Sequence, residues 1–146
     1  MKNRNIVHKD DWKTPECLYK ILDSEFKFDF DPCPYMHNMK WDGLQETWGN
    51  RNFINPPYSR FLKEAFVKKA VTESQKGKIC VMLLPVSTSS KLFHEWIQPY
   101  ASEIRFLKGR VRFTGINSFG ELVKNKNGMH DSMVVVFKGI PDTGIK

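Results

Sequence analysis

Lys78-Ile79-Cys80-Val81-Met82-Leu83-Leu84-Pro85 contains six consecutive apolar residues with no polar position to mark a wet face. A short run of this kind reads as a strand buried on both sides, which implies helices covering both faces of a mostly parallel sheet. Upstream, Phe61, Leu62, Ala65, Phe66, Ala70 and Val71 recur at helical spacing over residues 59 to 74, with Ser59 as N-cap and Gly77 closing the helix. Before that helix, Phe53-Ile54 gives a brief buried strand ended by Asn55-Pro56-Pro57.

Farther towards the N-terminus, Phe26, Phe28 and Phe30 alternate with Lys27 and Asp29, a strand pattern that stops at Asp31-Pro32. A short amphipathic helix precedes it through Leu18, Ile21 and Leu22, with Pro15 at its first position, Thr14 as N-cap and an end near Asp23 or Ser24. Downstream, Ser87 to Ser90 start a helix that ends before Pro99, Ile104 to Leu107 form a strand, and Val111 to Phe113 extend or follow it. Glu121 to His130 is a polar insert or hairpin loop, and Ser132 to Phe137 is the last strand. No helix separates the last two strands, so an antiparallel C-terminal hairpin is expected. Residues 1–10 read as a flexible segment and 11–146 as a single domain, the size that 146 residues suit.

The net charge is +7 and is unevenly spread. Up to residue 50 there are seven basic and nine acidic residues, but eight against three from 51 to 100 and eight against four beyond. A polyanionic partner is indicated, met by the later two thirds of the chain. Cys17, Cys33 and Cys80 make neither a disulfide framework nor a paired ligand motif, and Cys33 and His37 lack a second pair at zinc spacing, so no metal is expected. The absence of a long apolar stretch or a signal-peptide pattern points to a cytoplasmic protein with no membrane partner.

The chemistry is expected at Asn55-Pro56-Pro57-Tyr58, directly after a short buried strand, where open sheets bind ligands. Two prolines stiffen the loop, since each fixes its own φ and Pro57 keeps Pro56 out of the α region. Asn55 Oδ1 and the Pro56 carbonyl can then accept both hydrogens of an aromatic amine, and Tyr58 can stack on the ring that carries it. The bare pattern has a second reading, a proline-rich turn with a packed tyrosine.

Four blocks in order narrow that choice: Asp11-Trp12-Lys13-Thr14-Pro15, Phe28-Asp29-Phe30-Asp31-Pro32, Asn55-Pro56-Pro57-Tyr58 and Gly109-Arg110-Val111-Arg112-Phe113. Over residues 11 to 137 the chain resembles the small DNA N6-adenine methyltransferases of phages and prophages. The resemblance implies a reduced Rossmann-like methyltransferase fold, S-adenosylmethionine as cofactor and double-stranded DNA as substrate. It assigns Trp12, Thr14, Pro15, Asp31, Pro32 and Cys33 to the cofactor and Asn55, Pro56, Pro57 and Tyr58 to the grip on the amine. Phe113 then packs on the base face away from the tyrosine. Asp42 is a candidate for the ribose hydroxyls, and equally a turn capped by its own side chain.

Arg60 and Lys63, with Arg110 and Arg112, are candidates for substrate phosphates, or else parts of solvated basic faces. This chain has Asp31-Pro32-Cys33-Pro34 where most methyltransferases of the broad fold have a glycine-rich loop, and too few residues separate Asp31 from Asn55 for two further strand and helix units. A protein-glutamine or RNA amino-methyltransferase, or a decayed DNA-binding module, would share the Asn-Pro-Pro-Tyr turn. No separate recognition domain is visible, so relaxed or short-site specificity is expected, or a homodimer that supplies the missing surface.

Overall fold

The computed structural model describes residues 11–35, 40–57, 59–116, 119–127 and 130–139. In chain order they form β1 (Asp11–Lys13), α1 (Glu16–Phe26), β2 (Arg51–Ile54), α2 (Arg60–Ser74) and β3 (Ile79–Pro85). A π-helical turn, Phe93–Ile97, runs into α3 (Gln98–Tyr100), followed by β4 (Glu103–Phe106), β5 (Arg112–Ile116), β6 (Leu122–Asn127) and β7 (Ser132–Phe137).

The apolar run is a strand buried on both faces, as expected. Cys80, Met82 and Leu84 face α2 and the π-helical turn, together with Met133, Val135 and Phe137 of β7. Val81 and Leu83 face Leu22 and Phe26 of α1, together with Val134 and Val136. Six of these strand residues have no exposed surface, so transfer of apolar area from water is the main force holding the centre.

The expected reduced Rossmann-like, mostly parallel sheet is overturned by the pairing. The strands form two units, a mixed four-stranded sheet in the order β2-β3-β7-β4 and a three-stranded sheet in the order β1-β5-β6. Only β2 and β3 pair in parallel; β7 runs antiparallel to both β3 and β4, and the second sheet is antiparallel throughout. Burial on both faces reports coverage by other layers and carries no information about strand direction, which is why an apolar run misled the parallel reading. The strands expected to end the chain antiparallel, at residues 104–107 and 132–137, do pair antiparallel as β4 and β7, but they are not a simple hairpin, because the β5–β6 hairpin lies between them in the chain.

Two element boundaries move for local reasons. Phe26 belongs to α1, which ends where Lys27 adopts φ 57 and its N–H bonds Asp23 O, so the Phe26–Phe30 strand shrinks to a single parallel bridge, Phe30 to Asn52. Pro15, not Thr14, occupies the N-cap of α1 and makes no side-chain cap bond. Ser59 caps α2 as expected, its hydroxyl accepting from Leu62 N.

At the far end of α2, Glu73 is almost enclosed and receives Lys78 Nζ at 2.6 Å, Lys76 Nζ at 3.1 Å and Lys69 Nζ at 3.5 Å. Burial alone would raise this carboxyl, but the hydrogen bonds from Lys78 and Lys76 and the nearby charges bring it down to about 2. The folded value lies below the unfolded one, so this stabilisation is present above about pH 4.5 and is lost as pH falls towards 2. Glu73→Gln is expected to destabilise the chain by roughly 1–3 kcal/mol at pH 7 and by much less at pH 3, measured by urea denaturation at the two pH values.

Candidate active site

β2 delivers Asn55 to the edge of a cleft of about 260 Å³ whose lining includes Trp12, Thr14, Tyr19, Asp31 and Cys33. The side chain of Asn55 is tied to the segment around β1: its Nδ2 donates to the Trp12 carbonyl at 2.8 Å and to Thr14 Oγ1 at 3.1 Å. A backbone carbonyl can only accept, so the Trp12 bond forces the amide nitrogen to that side and turns Oδ1 the other way. Oδ1 is the only buried side-chain N or O atom among the described residues with no hydrogen-bond partner. Leaving a buried acceptor unmet costs about 1–3 kcal/mol, which a donor reaching it recovers.

Asn52, three residues earlier, shows what a structural asparagine looks like in this fold. Its Oδ1 accepts from Gly49 N at 2.8 Å, and its Nδ2 donates to Gly49 O and to Ile79 O. One amide is saturated by its neighbours, whereas the other holds an acceptor in reserve.

Across the cleft, Asp31 Oδ1 accepts from Cys33 N at 2.8 Å, which fixes the loop after the Phe30 bridge. Tyr19, projecting from α1, packs on Phe53 at 5.2 Å and Phe28 at 5.7 Å between ring centroids. Burial, reinforced by the charges of Asp23 and Asp31, raises its phenol above the ordinary value, so the hydroxyl stays neutral at pH 7. The lining combines the carboxylates of Asp31 and Glu16, against the single ammonium of Lys13, with the rings of Trp12, Tyr19 and Tyr35. Such a set suits a ligand that carries positive charge beside a flat heterocycle, because carboxylates attract the charge and ring faces attract both parts.

Of the expected cofactor residues, Trp12, Thr14, Asp31 and Cys33 line this cleft, and Pro15, Pro32 and Asp42 do not. Pro32 is buried, and its carbonyl accepts from Trp41 Nε1 at 2.8 Å. Asp42 is exposed and caps its own turn, Oδ1 accepting from Leu44 N at 3.0 Å, so the turn reading of Asp42 describes it. Thr14, expected as a helix N-cap and at the cofactor, holds the Asn55 amide. Sequence reasoning missed Tyr19 and Glu16 as lining residues, because a helix pattern records which residues face the core and not which reach a cleft.

In the grip on the amine, Asn55 is half-buried and Pro56 is buried, Pro57 follows them half-buried, and Tyr58 lies outside the described residues. Phe113 is only 3% exposed and sits in the core cluster on the α1 side, edge-on to Trp12 at 6.3 Å. That burial leaves it supporting Trp12 and offers no ring face to a base. Arg112 is exposed on β5, and Arg110 reaches Asp131 at 3.4 Å. Arg60 and Lys63 line a second cleft of about 380 Å³, which Asn55 does not line.

The three thiols sit in different surroundings. Cys17 is exposed, Cys33 is half-buried at the first cleft, and burial pushes the Cys80 thiol up to about 12. Iodoacetamide at pH 8 is therefore expected to modify Cys17 first and Cys33 more slowly, and to leave Cys80 intact until the chain is unfolded, as read by peptide mass mapping.

The geometry can be set beside known proteins. A family model described as DNA N-6-adenine-methyltransferase (Dam) matches residues 2–144. A protein of Escherichia phage T1 named DNA N-6-adenine-methyltransferase is 31% identical over 98 residues, a match that covers 60% of this chain and 40% of the phage protein. No solved structure matches. With the family model spanning almost its whole length and the Asn-Pro-Pro turn at the edge of its first cleft, the chain belongs to the DNA N-6-adenine-methyltransferase (Dam) family.

Proposed function

We propose that this chain transfers a methyl group from S-adenosylmethionine to the exocyclic amine of adenine in double-stranded DNA, in the cytoplasm of a bacterial or phage-infected cell. The observation that carries the proposal is Asn55: its amide is pinned through Nδ2, and its buried oxygen lacks a donor. The family supports the substrate, and the net charge of +7 supports a polyanion. Residues 11–146 act as one catalytic domain.

The residues of the first cleft fit S-adenosylmethionine. Asp31 and Glu16 would face its positive charges, and the Trp12 and Tyr35 rings its flat base. When bound, that cofactor supplies a methyl group already activated on a sulfonium, so no metal and no strong base are required.

The protein's task is to prepare the amine. In adenine the lone pair of the exocyclic nitrogen is delocalised into the ring, which makes it a poor nucleophile. Asn55 Oδ1 and the Pro56 carbonyl accept its two hydrogens and hold the nitrogen where the lone pair meets the methyl carbon. Because Oδ1 is shielded from water, its acceptor strength is undiluted, and entry of the base has to open the cleft above it. A duplex conceals the amine, so the adenine must leave the stack, and Tyr58 is the residue proposed to pack on it.

The deciding assay is transfer of labelled methyl from S-adenosylmethionine to adenine-containing duplex DNA, with digestion to nucleosides. N6-methyl-2′-deoxyadenosine is the expected product; labelled glutamine or ribonucleoside products from matched substrates, with none from DNA, would refute the reading. Asn55→Ala is expected to lower kcat by at least about 100-fold while the Kd for S-adenosylmethionine changes by less than about threefold. Thr14→Val should lower kcat by about tenfold, the worth of one hydrogen bond, and Thr14→Ser should restore it.

A further inference from the structure

Of the two clefts, only the first contains Asn55 in its lining. The second is larger, about 380 Å³, within the range of sites that take small organic ligands. Its floor is apolar: Leu84, Met133 and Ile97 are 1–3% exposed, and Leu92 is 9% exposed. Its rim carries Arg60, Lys63 and Lys91 against one carboxylate, Glu64. Glu64 is engaged by Arg60 at 3.3 Å, and among the described residues no ion pair involves Lys63 or Lys91.

Register sets the distance between the clefts. Ile54 pairs with Met82 in the parallel β2–β3 ladder, so Asn55 stands level with Leu83, and the floor residues Leu84 and Pro85 lie one and two positions farther along the neighbouring strand. Strand rise of about 3.3 Å per residue and strand spacing of about 4.8 Å put the backbone of that floor roughly 6–8 Å from that of Asn55, with the Leu84 side chain on the α2 face of the sheet and that of Leu83 on the α1 face. Successive nucleotides of one DNA strand are about 3.4 Å apart when stacked and farther apart when the strand is extended.

We propose that the second cleft holds one nucleotide of the methylated strand, a neighbour of the target adenine, with its base on the apolar floor and its phosphate between Lys63 and Lys91. This deepens the reading of the chain as a DNA methyltransferase and rests on it. A flat base desolvates against Leu84, Leu92 and Met133, while the two lysines neutralise the adjoining phosphate. The target adenine is excluded from this cleft because its amine must meet Asn55 Oδ1 at the other one. A neighbouring base held this way gives a small chain some sequence context without a recognition domain.

The test uses the full chain and fluorescein-labelled duplex DNA, with affinity read by anisotropy from 50 to 300 mM salt. Lys63→Ala/Lys91→Ala is expected to weaken binding at 100 mM salt at least tenfold and to reduce the slope of log K against log salt by about 2. The charge-matched control Lys124→Ala/Lys138→Ala, both exposed and lining neither cleft, should stay within twofold. Ser87→Trp, placed at an exposed position at the cleft mouth, fills the cleft without changing charge and should also weaken binding at least fivefold.

Weakening by the lysine pair but not by Ser87→Trp would mean a phosphate contact without a base pocket, and would overturn the proposal. Unchanged binding in both variants, or no DNA binding by the wild-type chain, would overturn it as well. Methyl transfer is scored separately, so a wild-type chain that binds DNA as expected but transfers nothing counts against the proposed reaction and not against the cleft.

Discussion

The β3–β7 pair is the constraint on which the rest of the molecule depends. Six consecutive residue pairs, Cys80 with Phe137 through Pro85 with Ser132, run between two layers that cover both faces. With the centre fixed, β2 can add only along the free edge of β3 and β4 only along the free edge of β7. The end of β2 therefore has one position, beside the middle of β3, and Asn55 is carried to it. A polar substitution at Val81 or Val135, both without exposed surface, would strike this pair and not the chemistry.

The second constraint joins the two sheets. β1 belongs to the small antiparallel sheet through its pairing with β5, while β2 belongs to the large one. The bond from Asn55 Nδ2 to the Trp12 carbonyl crosses between them, and Trp12 is held from behind by Phe113. The orientation of the Asn55 amide is thus a property of the assembled fold and not of its own turn. Pro56 and Pro57 stiffen the main chain, but only a carbonyl from a distant strand determines which end of the amide faces the cleft.

Much of this was legible in the sequence, and the remainder was hidden for definite reasons. The apolar period over 79–84, the Ser59 cap and the stop at Asn55-Pro56-Pro57 are local signals, and each survives in the structure. Strand direction is not local: the run 133–137 is as wholly apolar as 79–84 and points the opposite way. The Phe26, Phe28, Phe30 alternation failed because Phe26 faces the core from the last turn of a helix, where one position satisfies either period. At the site, the Asn55 assignment rested on residue chemistry, and the Thr14 hydrogen bond was hidden because its partner lies 41 residues away.

Between the Phe30 bridge and β2, about twenty residues stand where larger methyltransferases would have further strand and helix units. In their place two indoles act as fasteners. Trp41 Nε1 donates to the Pro32 carbonyl and Trp48 Nε1 to the Gly43 carbonyl, both at 2.8 Å, and a side chain at Gly43 would meet the Pro32 carbonyl oxygen at 2.0 Å. Trp48 then stacks against Phe66 of α2 and anchors the segment to the large core. Regular secondary structure would meet its backbone groups by repetition; here single side-chain bonds and one absent Cβ do that work over a shorter length. The same economy accounts for the Asp31-Pro32-Cys33 loop. With the Pro32 carbonyl committed to Trp41 and pressed on Gly43, the residues on either side of it, Asp31 and Cys33, are the ones turned to the cleft, so a proline held from behind aims their side chains where a glycine-rich loop would offer its backbone.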